Sequence, residues 1–71
     1  MTEYAVVYEQ GPTSWGAYVP DLPGCVAVGN SLEEVQSLIR DAIEMHLETM
    51  REDGDPIPLP RSRAAMVAVA A

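Results

Sequence analysis

The stretch from Ser31 to Gly54 constrains this chain most, because local signals mark both of its ends and an apolar stripe runs between them. Ser31 with Glu34 three positions on is a capping box: the hydroxyl accepts from an orphan backbone N–H, and the carboxylate reaches back to the cap. Gly54 suits a left-handed cap and Pro56 cannot continue a helix, so the spacing predicts a helix from about Leu32 to about Glu52. Leu32, Val35, Leu38, Ile39, Ala42, Ile43, His46, Leu47 and Met50 fall on one side of its wheel. Glu33, Glu34, Ser37, Asp41, Glu44, Glu48 and Glu52 fall on the other. One face must pack on an apolar layer while the other meets water.

The residues before it supply that layer. Glu3 to Glu9 alternates Tyr4, Val6, Tyr8 against Ala5, Val7, Glu9 and reads as a first strand. Gly11-Pro12-Thr13-Ser14 is a turn cluster, and Trp15 to Val19 is a second, antiparallel strand stopped by Pro20. Asp21-Leu22-Pro23-Gly24 is another turn, and Cys25 to Val28 is a short third strand. After the helix, Pro56, Pro58 and Pro60 force an extended, stiff connector. Ala64 to Ala71 is apolar throughout, which suits a strand covered on both faces or one paired into a partner's sheet. Alanine favours helix there, whereas Val67 and Val69 favour strand, and strand is the reading preferred.

The order predicts an α+β fold: a single domain over residues 1–71, β-β-β-α-β in two layers, with one helix on one face of a mixed sheet. A right-handed crossover lays strand four parallel to strand one. A 21-residue helix is roughly 31 Å long and outreaches strands of roughly 17–23 Å. Leu47 and Met50 near its end then need cover from the connector or from another subunit. With Met66, Val67 and Val69 they are the candidate oligomer interface.

Seventy-one residues form a small core, which natural chains supplement with disulfides, metals or partners. One cysteine and one histidine leave association as the expected supplement, to a dimer or higher. Composition, at 48% apolar and 21% charged, is that of a folded protein. The N-terminus has neither a basic segment nor an apolar stretch, no run of residues suits a membrane, and the single Cys25 fits a reducing compartment, so a cytoplasmic protein is expected. Eleven acidic residues against four arginines give a net charge of -7, which repels nucleic acid and attracts a basic protein. On the outer helix face Asp41, Glu44, Glu48 and Glu52 make an acidic ridge, either a solvated face or a docking site for a basic partner.

Catalytic chemistry finds little purchase. Metal-dependent nuclease action needs converging carboxylates. Glu3 and Glu9 lie at opposite ends of one strand, and Asp21 is in a proline-bounded turn. Cys25 and His46 offer a nucleophile and base in principle, but both read as core residues. A structural zinc lacks ligands within one chain, no phosphate loop is present, and no cofactor is expected. Trp15, Tyr4, Tyr8 and Tyr18 lack the basic neighbours of a base-stacking surface and read as sheet core or subunit interface.

Taken in order, Tyr4-Ala-Val-Val7, Trp15-Gly-Ala-Tyr-Val-Pro-Asp-Leu-Pro-Gly-Cys25, Val28-Gly-Asn-Ser-Leu-Glu-Glu-Val35, the acidic helix and Asp53-Gly-Asp-Pro-Ile-Pro-Leu-Pro60 resemble the HicB-like antitoxin family from about Tyr4 to Val69. The resemblance implies a truncated ribonuclease H-like fold that masks a small basic ribonuclease toxin, HicA-like, by occlusion. Many members also carry a C-terminal DNA-binding domain. This sequence stops after the expected fourth strand, so no direct DNA binding by this chain is expected, and it is either a toxin-paired antitoxin or a solitary HicB-like protein. The rival readings are a degenerate ribonuclease H-like enzyme and a structural homo-oligomer binding a small molecule at a subunit cleft.

Overall fold

A computed structural model describes residues 1–71. Three strands, β1 (Val7–Gln10), β2 (Trp15–Tyr18) and β3 (Val26–Gly29), are followed by one helix, α1 (Leu32–Glu52). The sheet has the order β1-β2-β3 and both of its pairings are antiparallel. The α+β class and the first four elements are as expected. The fourth strand is the correction: Ala64–Ala71 forms no ladder in the single chain, so the sheet is not mixed.

The helix has the expected bounds, and its ends show why. Ser31 is extended, and its Oγ accepts from the Glu34 N–H at 3.1 Å. The Glu34 carboxylate reaches one residue beyond the cap, accepting from the Asn30 N–H at 3.1 Å. At the other end Gly54 takes φ +73°, its N–H donates to the Arg51 carbonyl, and the Asp55 N–H donates to the Met50 carbonyl. These two bonds form a Schellman cap, and they satisfy carbonyls that the helix itself leaves open.

The first strand is shorter at its start than the expected Glu3–Glu9. Its ladder pairs Val7 with Tyr18 and Gln10 with Trp15, so Tyr4 to Val6 lie beyond the last partner on β2. Pro20 has no N–H to extend that ladder, and the chain turns there through bonds from the Leu22 N–H to the Val19 carbonyl and from Cys25 N–H to the Leu22 carbonyl. This turn carries Leu22 into the core as one of its most buried side chains, a role its setting between Asp21 and Pro23 conceals.

The core is Ala17, Val19, Leu22, Cys25, Val35 and Ile39, with Tyr4, Val6, Tyr8, Trp15, Ala27, Ala42, Ile43 and Leu47 packed around it. The helix lies over β3 and β2 rather than β1. Small residues permit this approach: a Cβ on Gly29 would stand 3.0 Å from the Val35 backbone nitrogen, closer than ordinary packing allows. Because four-residue strands reach only roughly 13 Å, the sheet does not cover the whole apolar arc of α1. Leu32 and Leu38, expected on the packed side, are exposed, and Met45 is more so.

The connector after the helix is tied down at two points. The Tyr4 hydroxyl donates to the Pro58 carbonyl. The Asp21 carboxylate accepts from the backbone N–H groups of Arg61 and Ser62 at 3.0 and 2.9 Å and from the Ser62 hydroxyl at 3.0 Å. The Ser62 backbone bond is the main reason why the Asp21 carboxyl titrates below its ordinary 3.8; burial opposes it, and the Ser62 hydroxyl, the Arg61 N–H and the Arg61 charge add to it.

Two expected outcomes follow from these anchors. Ser31→Ala removes the cap acceptor and should lower stability by about 0.5–2 kcal/mol in urea unfolding; an unchanged midpoint would reject the cap. Asp21→Ala should free residues 61–62, accelerating their amide exchange and tryptic cleavage after Arg61, while helical ellipticity stays the same. Since folding lowers the Asp21 pKa, the clamp is complete above pH 3.8 and is lost as pH falls through the lower folded value, so acid should reproduce the effect of the substitution.

Candidate functional site

The helix presents its outer face free of the sheet. Asp41, Glu44, Glu48 and Glu52 are all exposed, and their spacing of three, four and four keeps them in one row roughly 17 Å long. Leu38 and Met45 border this row at helical spacing and are 39% and 67% exposed. Sequence periodicity assigns Leu38 to the packed side and leaves Met45 unassigned. The face is thus an acidic strip with two apolar side chains along its margin, a mixture suited to protein contact.

The side of the sheet away from the helix is a second surface. Register places Val7, Tyr18 and Val26 across one row and Glu9, Gly16 and Val28 across the next. Tyr18, Val26 and Val28 are exposed. The signal for this surface is the alternation of Val26 and Val28 against buried Cys25 and half-buried Ala27, visible only once the helix side is known.

Between α1 and the N-terminal segment that leads into β1 lies a groove of about 730 Å3, lined by Met1, Tyr4, Val6 and Tyr8 on one side and Ile39, Ile43 and Leu47 on the other, with Glu3, Arg40 and Glu44 also lining it. It exists because the helix leans toward β3. Met50 lies elsewhere, in a shallower cleft of about 550 Å3 with Cys25 and His46. Leu47 and Met50 therefore face different clefts, and Met66, Val67 and Val69 are exposed and packed against neither.

Cys25 and His46 share that second cleft, but no hydrogen bond joins them. The Cys25 thiol is buried, and desolvation raises its pKa above the ordinary 9.0. A nucleophilic thiol needs the opposite shift, toward the thiolate. Carboxylates are equally dispersed: no three His, Cys, Asp or Glu side chains come close enough to hold a metal ion. No helix is long and apolar enough to cross a membrane.

Comparison with known proteins agrees with this geometry. The chain is similar to Antitoxin HicB 2 of Photorhabdus laumondii, 32% identical over 60 residues that cover 84% of this chain and 43% of that protein. It is 34% identical over 55 residues to an uncharacterized 14.9 kDa protein of Haemophilus phage HP1, covering 78% of this chain and 41% of the relative. The chain thus spans about two fifths of the length of these two relatives. A UPF0150 protein of Archaeoglobus fulgidus is 36% identical over 56 residues, covering 75% of this chain and 81% of that one. The family described as HicB_like antitoxin of bacterial toxin-antitoxin system matches residues 4–70, nearly the whole fold, and the chain belongs to that family.

Proposed function

We propose that this chain is a protein-binding antitoxin that occludes a small basic ribonuclease of the HicA type through the outer face of α1. The observation that carries this reading is the row Asp41, Glu44, Glu48 and Glu52, exposed along its whole length and bordered by exposed Leu38 and Met45. Acidic side chains steer a basic partner into encounter and select against acidic ones, while apolar anchors at the margin slow its departure. Family membership supports the partner class. The raised pKa of Cys25 and the dispersed carboxylates support a binding role over a catalytic one.

Nucleic acid is a poor ligand on this reading, because residues 1–60 hold all eleven carboxylates and only Arg40 and Arg51, a net charge of -9. Phosphate binding depends on Lys and Arg, and neither forms a patch on this body. We place the protein in the cytoplasm, in keeping with its single unpaired Cys25.

The test is association with a small basic ribonuclease of the HicA type. The association rate should fall as salt rises, and Glu48→Arg with Glu52→Arg should lower it further at low salt. Met45→Ala should instead speed dissociation by about tenfold. Rates unmoved by charge reversal would shift docking to the open sheet face around Tyr18 and Val28. Tight binding of the isolated chain to promoter DNA would overturn the reading.

A further inference from the structure

We propose that Cys25, His46 and Met50 form a site for a soft monovalent metal ion, copper(I), in the cleft between the start of β3 and the last turns of α1. The inference is independent of the toxin reading and uses none of the residues assigned to docking. It begins from donor side chains that share one cleft of about 550 Å3: Cys25 and Val26 line it from the sheet, and Ala42, His46 and Met50 line it from the helix. The helix packs directly on β3, which brings the two walls together. His46 and Met50 are four residues apart, so they stand one above the other on a single helix face.

These donors are unengaged. Neither the Cys25 thiol nor the His46 imidazole takes part in a side-chain hydrogen bond within the protein. Sequence periodicity places His46 in the middle of the apolar arc, where an imidazole ordinarily finds a local partner. Here it is half-buried and opens to the cleft instead, as Met50 does, while the Cys25 side chain is buried with 3% exposure.

Donor chemistry selects the ion. No three His, Cys, Asp or Glu side chains come close enough to hold a metal, so zinc lacks its nitrogen and sulfur ligands and calcium its oxygens. A thioether serves neither of those ions. Copper(I) accepts it, together with thiolate and imidazole, and is satisfied by a low coordination number. On binding, the Cys25 Sγ gives its proton to solvent and bonds the ion, while the neutral His46 ring and the Met50 Sδ donate lone pairs. The copper keeps its oxidation state, and no oxidant or reductant is consumed. A thiolate with a monovalent cation is neutral together, which suits a site whose floor is buried. Asp53 and Asp55 also line the cleft, and the negative end of the α1 dipole lies beside it, so a cation is drawn in. The bound ion would tie the end of the helix to the start of β3, supplementing a small core by a cross-link.

The test titrates the full chain with copper(I), anaerobically and against a competing chelator, with silver(I) as a redox-inert probe. A single ion per chain should bind, with a thiolate-to-metal absorption band in the ultraviolet, shifted His46 ring and Met50 methyl resonances, and a raised thermal unfolding midpoint. Zinc(II) at the same free concentration should leave the midpoint unchanged. His46→Gln and Met50→Leu keep the thiol and much of the side-chain bulk, and each should weaken copper(I) binding by about tenfold or more with helical ellipticity unchanged. Should His46→Gln fail to fold, Met50→Leu and the resonance shifts of the native chain still decide. Affinity that is the same in the variants means an adventitious ion on the thiol only and overturns the proposal. A native chain that takes up no copper(I), or that shifts Met45 in place of Met50, overturns it as well.

Discussion

The packing of Val35 and Ile39 against Ala17, Val19, Leu22 and Cys25 is the contact on which the rest of this molecule depends. Small residues set its geometry. Ala17, Ala27 and Gly29 let the helix settle close to β2 and β3, and Gly29 leaves no room for a Cβ beneath the first turn. Settling there draws the helix off β1. The groove and the half-covered side chains of Tyr4, Val6 and Tyr8 are thus consequences of where the sheet is smooth enough to admit a helix.

Length is the second constraint. A helix of 21 residues over strands of four has more surface than its sheet can cover, so part of its apolar arc reaches solvent as Leu38 and Met45 beside the acidic row. For the proposed toxin partner, the surplus would be a place to bury apolar atoms without disturbing the core.

Much of the fold was legible because its signals are local. Ser31 and Glu34 fix where the helix starts, Gly54 and Pro56 fix where it stops, and both readings hold to the residue. Three strands follow from alternation and turn chemistry, with a shift at the start of β1 that comes from Pro20 on the neighbouring strand. What was hidden depends on tertiary distance. Periodicity gives the direction in which Leu38 points but not how far the sheet extends beneath it, and Leu22 is buried by hydrogen bonds of a turn that composition alone marks as surface. The fourth strand fails for a different reason: a strand is a relation between two segments, and Ala64–Ala71, led off by a connector tied to Tyr4 and Asp21, pairs with none in its own chain. The acidic ridge was read correctly as exposed, since four carboxylates in a row cannot be buried without partners.

Glu44 shows how closely the groove and the acidic row adjoin. It borders the β1 groove on one side and belongs to the acidic row on the other. Helical geometry separates the remaining members: Glu48, Glu52 and Met45 turn away from the groove, whereas Ile43 and Leu47 turn into it. A basic partner docked on that row would therefore leave the groove and the β1 edge free.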